Sequence, residues 1–340
     1  MPEISVIVIN WNGKHLLKDC LSALRRQTFR DFEALLVDNG SQDGSVEFVR
    51  EHFPEVTLIA LEKNVGFSQG NAAAYEKSSG RLVTLLNNDT AADPAWLEEI
   101  FKASQSFPEA GSFASKMLCF DEPDRIDNCG FGITGAGFTI DLGRDEHDGP
   151  AWSTARPVFG CCGGAATYRR RMLEDIGFLD PDFFMTYEDV DLSFRAQLKG
   201  YSCMFVPGAK VLHRYRATMK KYWSYSRQIY YSQRNIEFLY IKNMPLELIA
   251  STCLQRMTYE FGSALYFLRA GAIGAFVRGK LDVLRHLPKL LRKRRDIQGG
   301  KVIDAAQLSA VMEMDWLRPK WRKFTSAWRM PRVASEVKRP

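Results

Sequence analysis

The chain is 340 residues long, 46% hydrophobic, 25% charged and 12% aromatic, with a formal net charge of +6. That balance suits a large globular core with room for an appendage, and argues against a disordered or low-complexity chain. Its seven cysteines hold no CxxC pair and only one vicinal pair, Cys161-Cys162, which argues against a disulfide framework or a zinc site, and no apolar run reaches the roughly 18 residues of a membrane span.

The N-terminus lacks the basic stretch and small-residue cleavage site of a signal peptide, so a reducing cytoplasm is the expected location. Ile4–Ile9 is a β-branched run suited to a strand buried on both faces. Lys14–Gln27 follows with apolar residues at helical spacing. Phe32–Val37 reads as the second strand, Ser45–His52 as a helix, Val56–Ala60 as the third strand, Gly70–Lys77 as a helix and Leu82–Leu86 as the fourth strand. Asp93 and Pro94 predict a helix N-cap and first position, with the helix running through Ala103. Repeated β-α-β units predict an α/β fold with a mostly parallel, Rossmann-like sheet flanked by helices. From Gly111 to Pro157 the pattern weakens. Regular structure is expected again at Val158–Thr167, a helix at Arg169–Ile176, a second from Tyr187 to Lys199 that Thr186 caps, and a strand at Cys203–Val206.

After His213 the character changes. Met219–Ile241 is aromatic-rich at helical spacing, and Leu246–Val277 and Leu281–Leu291 are apolar and interrupted by charge. These predict a helical C-terminal extension, followed by a basic, loosely ordered tail at Lys320–Pro340. Between Leu268 and Lys301 ten basic residues face only Asp282 and Asp296. The excess positive charge is therefore a C-terminal property, and its run from Lys289 through Arg292 to Arg295 suits an anionic membrane surface, or else a solvated bundle packed on the rest. No recognised nucleic-acid module accompanies it.

Three segments carry candidate chemistry, each at the end of an apolar run, where an α/β sheet gathers ligand-binding groups. Asp38 ends the second strand, and its carboxylate suits a base N–H or a ribose hydroxyl. The following Asn39-Gly40-Ser41-Gln42-Asp43-Gly44 equally suits a plain turn in which Ser41 or Asp43 caps a helix. Asn87-Asn88-Asp89 ends the fourth strand, where a carboxylate flanked by amides fits either a turn or a divalent cation, Mg²⁺ or Mn²⁺, on a diphosphate. His213 is the candidate second ligand. Glu188, Asp189 and Asp191 open a helix, where the dipole favours carboxylates and lowers their pKa. Asp191 can pair with Arg195 one turn on. The preceding Asp182-Phe183-Phe184-Met185 suits a cleft lining, beside which Glu188 and Asp189 would be a general base and an acceptor-orienting group.

Taken together, Ser5–Gly13 with its Asn10-Trp11-Asn12, Val37–Ser41, Asn64-Val65-Gly66-Phe67 with Asn71, Leu86–Asp89 and Tyr187–Arg195 resemble the family 2 glycosyltransferases, in particular the bacterial rhamnosyltransferase-like branch. The resemblance covers about residues 4–215. It implies a GT-A type fold, with a nucleotide-binding half at about 1–110 and an acceptor half at about 111–215, ahead of the helical region at 216–300 and the tail at 301–340. It also implies inverting transfer from a nucleoside-diphosphate sugar, thymidine-diphosphate rhamnose first and a uridine-diphosphate hexose second. The acceptor would be a glycan or a polyprenyl-diphosphate-linked saccharide in cell-surface polysaccharide synthesis, at the cytoplasmic face of an inner membrane.

Carried onto this chain, the resemblance implies that the Ile9 backbone and Trp11 contact the nucleobase, Asp38 the base or ribose, and Asn64, Gly66 and Asn88 the rest of the donor. Asp89 would hold the metal, His213 would complete that site, and Asp189 would be the base, with Glu188 beside it. The family's acid-x-acid motif reads Asn87-Asn88-Asp89 here, with the first acid replaced by an amide. Two other readings stay open: a catalytically silent binder of sugar nucleotides or lipid-linked glycans, and a sugar nucleotidyltransferase. The second would need a Gly-rich basic loop after the first strand, which Asn10–Gly13 does not offer.

Overall fold

The computed structural model describes residues 1–214 and 222–314. Strands and helices alternate through Asn87 as β1 (Ile4–Asn10), α1 (Lys14–Arg25), β2 (Phe32–Asp38), α2 (Ser45–His52), β3 (Thr57–Ala60), α3 (Phe67–Tyr75) and β4 (Leu82–Asn87). Ile4, Val6, Ile7 and Val8 are fully buried, as a strand covered by helices on both faces requires. In α1 the apolar spacing puts Leu17, Cys20, Leu21 and Leu24 into the same core as Trp96 and Phe113. Each such burial contributes about 1.5–3 kcal/mol over leaving the side chain in water.

Register decides where the polar strand ends fall. β1 lies between β2 and β4, all parallel, with Asn10 opposite Asp38 and Ile9 opposite Asn87. The C-terminal ends of these strands thus share one edge.

Beyond β4 come β5 (Thr90–Ala92), α4 (Trp96–Ser106), β6 (Ala110–Cys119), β7 (Ile126–Asn128), β8 (Phe131–Ile133), β9 (Thr139–Asp141), β10 (Arg156–Val158), β11 (Ala165–Arg169), α5 (Arg170–Ile176), α6 (Glu188–Leu198) and β12 (Ser202–His213). The ten-stranded sheet runs β10-β12-β6-β11-β4-β1-β2-β3, with β5 on β12 and β7 on β6. It is parallel from β4 to β3, and mixed beyond, because β11 runs antiparallel between β4 and β6. A hairpin of β8 and β9 stands apart. The extension consists of α7 (Tyr225–Asn243), α8 (Leu246–Arg269), α9 (Ile273–Gly299) and α10 (Ala305–Ala310). Among the described residues no helix is long and apolar enough to cross a membrane.

Several local expectations need correction. The α4 cap lies at Ala95; Asp93 instead closes the turn before it, its carboxylate accepting from Ala95 N at 2.9 Å. Val158–Thr167 is not one regular stretch but two strands parted by a loop at Cys161–Gly164. Thr186 does not cap α6: Tyr187 holds that position, and both residues have left-handed backbone, φ 63° and 70°. The basic run from Lys289 is partly turned inward. Lys289 and Lys293 pair with Asp182, Lys293 also with Asp180 at 2.6 Å, and Arg294 donates to the carbonyls of Ile241 and Met244. The expectations at Met219–Lys221 and in the tail from Lys320 lie outside the described residues.

Candidate active site

A cavity of about 430 Å³ lies between the C-terminal ends of β1 and β4 and the start of α6, within the range of about 300–1,000 Å³ usual for ligand pockets. Every residue to which the resemblance assigns a role lines it except Asp38. That carboxylate sits just beneath, 1% exposed, accepting from Asn10 Nδ2 at 3.0 Å and Ser41 N at 2.8 Å. Each oxygen keeps an acceptor site beyond that bond, but at 1% exposure a base or ribose would reach it only if the groups covering it moved.

The remaining polar groups of this wall are also bonded to one another. Asn88 Nδ2 donates to Asn10 Oδ1 at 2.6 Å. Asn64 Oδ1 accepts from Gly66 N at 2.9 Å, and Asn39 Nδ2 reaches Asn64 Oδ1 and the Gly66 carbonyl. Asp43 bonds Lys14 N at 2.9 Å and Ser45 N at 3.2 Å, so it serves helix starts, as the turn alternative held. Gly66 has φ +89°, and a Cβ there would lie 2.5 Å from the Phe184 carbonyl oxygen. Only glycine fits that approach. Phe67 N and Ser68 Oγ donate to the carbonyls of Phe184 and Phe183 at 2.7 and 2.6 Å, which ties this wall to the opposite one. Trp11, Phe184 and Trp223 form an aromatic side, with ring centroids 5.8–6.3 Å apart along the chain of contacts. Of the aromatic run at Asp182–Met185, Phe184 and Met185 line the cavity, while Phe183 is fully buried against Phe238.

Sheet pairing brings Asp89 and His213 together. His213 pairs with Thr90 across β12 and β5, which sets its Nε2 3.3 Å from Asp89 Oδ1. Nδ1 lies 2.7 Å from Asp127 Oδ2, and the other oxygen of Asp127 accepts from Arg144 Nη1 at 2.6 Å. Burial lowers the His213 pKa, but the two carboxylates outweigh it and push it up to about 9. Asp89 Oδ1 is buried without a hydrogen bond. A carboxylate oxygen partnered only by the imidazole 3.3 Å away, with that ring's far nitrogen held by another carboxylate, is the arrangement of many metal ligands, so these residues fit a divalent cation once the imidazole gives up its Nε2 proton. Among the described residues no group of three or more metal-ligating side chains surrounds one point.

Across the cavity, Asp189 Oδ2 accepts from Gly163 N at 2.7 Å and Oδ1 from Val190 N at 2.8 Å. The helix start was expected to lower its pKa. Burial overrides this: Asp189 is raised despite its backbone donors, with Asp141 adding to the rise. Glu188 is raised well above its usual range by burial and by the Asp189 charge, and its Oε2 has no partner, nor has Thr186 Oγ1. Buried polar atoms without partners are rare in folded proteins. Here Asp89, Thr186 and Glu188 all turn toward the same cavity.

Asp191 pairs with Arg195 at 2.9 Å, as its spacing predicted. It also accepts from Lys242 Nζ and Asn243 Nδ2, each at 2.8 Å. Asp127, Arg144, Asp141, Lys242 and Trp223 were not foreseen. The first three lie in the weakly patterned stretch before Pro157, and Lys242 meets Asp191 only across 51 residues of chain. For Arg144 the sole local signal is its spacing three residues after Asp141, to which it bonds at 2.9 Å.

Likeness to known proteins bears on the family and the fold. The model of glycosyl transferase family 2 matches residues 5–177. The N-acetylglucosaminyl-diphospho-decaprenol L-rhamnosyltransferase of Mycobacterium tuberculosis is 27% identical over 235 residues, covering 62% of this chain and 75% of that protein. The O-antigen biosynthesis protein RfbC of Myxococcus xanthus is 27% identical over 231 residues, or 64% of this chain but 18% of that protein. Among solved structures, the mannosyltransferase PcManGT of Pyrobaculum calidifontis, in complex with GDP-Man and Mn²⁺, aligns with a TM-score of 0.53 at 15% identity, covering 97% of this chain and 81% of that one. S. aureus TarS 1–349 aligns with a TM-score of 0.52 at 16% identity, covering 88% and 90%. At such identities the structural likeness carries the fold alone, a GT-A α/β fold. With the family model spanning half of it, this chain belongs to glycosyl transferase family 2, and it is similar to a rhamnosyltransferase of that kind.

Proposed function

We propose that the protein is an inverting hexosyltransferase. It moves L-rhamnose from thymidine-diphosphate rhamnose, or failing that a hexose from its uridine diphosphate, to a hydroxyl of a glycan or polyprenyl-diphosphate-linked saccharide in cell-surface polysaccharide synthesis. The observation that carries this reading is one cavity with the β1 and β4 strand ends on one wall and the buried Glu188 beside the half-buried Asp189 on the other. Residues 1–215 form the catalytic unit, with the donor bound by about 1–110 and the acceptor by about 111–215. Residues 216–300 form the basic helical region, placed at the cytoplasmic face of an anionic membrane, and 301–340 the tail.

Asp189, held in orientation by Gly163 N, takes the proton of the acceptor hydroxyl. The freed oxygen attacks the anomeric carbon as the bond to the diphosphate oxygen breaks, so the configuration inverts. A raised pKa makes Asp189 a better base than an ordinary carboxylate. Glu188 orients the acceptor. Ile9 and Trp11 border the base, Asn64, Gly66 and Asn88 the rest of the donor, and Asp38 acts by fixing Asn10 and Ser41. Asp89 and His213 would hold Mg²⁺ or Mn²⁺, which supplies electrostatic and Lewis-acid stabilisation of the departing diphosphate.

The test pairs binding with turnover. Thymidine diphosphate at about 100 times its Kd should stabilise the fold by about 2.7 kcal/mol in a thermal-shift assay. Asp189→Asn should keep that shift while turnover falls by a factor of about 10² or more. A variant that turns over normally removes Asp189 as the base. Binding without product from any donor would favour the silent binder.

A further inference from the structure

Helices α8 and α9 each pack by one flank and leave an apolar stripe on the other. On α8, Leu254, Met257, Phe261, Leu265 and Leu268 recur every three or four residues and are 43–73% exposed. The opposite flank is bound to the body: Arg256 Nη1 donates to the Ala136 carbonyl at 2.6 Å, and Tyr259 stacks on Phe138 at 4.5 Å. On α9, Val277, Leu281, Leu284 and Leu291 are 43–63% exposed. Arg278, Arg285 and Arg292 recur every seven residues along one edge of that stripe and are exposed. Of the acids within the span of the stripes, Glu260 turns inward to Arg256 and Lys280, and Asp282 binds Tyr230 at 2.8 Å through one oxygen and Arg285, more loosely at 3.4 Å, through the other. Lys280 joins Glu260 of α8 to Glu237 of α7, so both helices face α7 by their inner flanks.

We propose that the outward flanks of α8 and α9 form a docking face for an anionic bilayer surface. Apolar side chains would enter the acyl boundary while the arginines extend to lipid phosphates. Neither helix can span a bilayer, which leaves an interfacial position. A second copy of the chain fits less well, because two-fold pairing of the α9 stripes would bring the arginine edges toward each other. The proposal deepens the lipid-linked acceptor reading: α8 packs on the β8–β9 hairpin and, with it, on Tyr187, which leads into Glu188 and Asp189. Vesicle binding itself needs no transfer reaction, so the two readings fail separately.

The experiment is flotation of the full chain with vesicles of phosphatidylcholine alone or mixed with phosphatidylglycerol. Two double variants are compared, Phe261→Asp with Leu284→Asp and Arg278→Glu with Arg285→Glu. The unaltered chain should float with the anionic vesicles and be released by salt. Each variant should bind at least about tenfold more weakly, with its melting temperature and nucleotide-induced thermal shift unchanged. The arginine pair keeps the test valid if the aspartates disturb folding. Undiminished binding by both variants, binding indifferent to anionic lipid, or a lipid-free dimer that the aspartates abolish would each overturn the proposal. Flotation without any nucleotide shift would leave this face standing and remove the donor reading.

Discussion

The two walls of the cavity are built on different principles. At the strand-end wall Asn10, Asp38, Asn39, Asn64 and Asn88 are bonded to one another, and the backbone is ordinary apart from Asn12 and the glycines that its turns require. At the α6 wall Thr186 and Tyr187 take left-handed backbone in succession, and Thr186 Oγ1 and Glu188 Oε2 are buried without partners. Such conformations persist only where surrounding structure over-determines them. That support comes from α7: Asn235 Nδ2 donates to the carbonyls of Met185 and Thr186 at 2.7 and 2.8 Å, and Lys242 bridges Asp180 and Asp191. The strand-end wall is held chiefly by its own side chains and the α6 wall chiefly by α7, so this first helix of the extension fixes the geometry of the cavity.

The largest expected effect breaks that support directly. Lys242 is 1% exposed, and Lys242→Met leaves Asp180 and Asp191 as buried carboxylates with reduced compensation. Breaking a buried pair in this way costs about 3–5 kcal/mol, measurable by denaturant unfolding. For both acids burial opposes ionisation, yet Lys242 and their other cationic partners hold the pKa below the ordinary value. Their contribution is therefore present above that value and lost as pH falls, and the variant should approach the unaltered protein in acid. A loss well under 1 kcal/mol at neutral pH would mean that α7 does not hold the α6 wall.

The self-supporting wall was the legible one. Its strands are short β-branched runs and its turns are dense in Asn, Asp and Gly, so both signals are local. The order of Asp38, Asp89 and Asp189 along the chain could be read too. The groups that hold His213 and the α6 wall in place could not. Asp127 and Arg144 lie in three-residue strands and a loop that show no period, and their roles exist only once β7 pairs with β6. Burial is likewise invisible to local reasoning, which is why the helix dipole at Asp189 pointed the wrong way. The inward turn of Lys289 and Lys293 depends on where Asp180 and Asp182 fall in space, and composition alone cannot distinguish that from a solvated face.

A smaller effect sharpens the comparison where the walls meet. Asp127 fixes His213 through Nδ1 and does not itself line the cavity. Losing such an outer partner typically costs about 10–100-fold in metal affinity. Asp127→Asn should therefore weaken Mn²⁺ binding by about that factor, read by calorimetry or electron paramagnetic resonance. The metal-free thermal shift with thymidine diphosphate should stay unchanged. A parallel loss of both would show that the walls are one cooperative unit.

The smallest effect is a displacement along the pH axis. As the proposed base, Asp189 must be ionised to act, and burial raises it above the ordinary 3.8. The acid limb of kcat/KM, which reports the free enzyme, should accordingly lie above the ordinary carboxylate range. Asp141 contributes to the rise, so Asp141→Asn should move the limb toward lower pH without abolishing turnover. Folding responds in the opposite sense. A carboxyl whose folded-state pKa exceeds its unfolded value lends stability at low pH, and loses it as pH rises through the raised value. Removing that ionisation with Asp189→Asn should therefore raise the melting temperature at neutral pH even as turnover collapses. The Lys242 variant does the reverse, losing most stability where Asp180 and Asp191 are ionised. Two acids on one helix, Asp189 and Asp191, would thus respond to pH with opposite signs, because one faces a cavity that awaits a substrate and the other a lysine already in place.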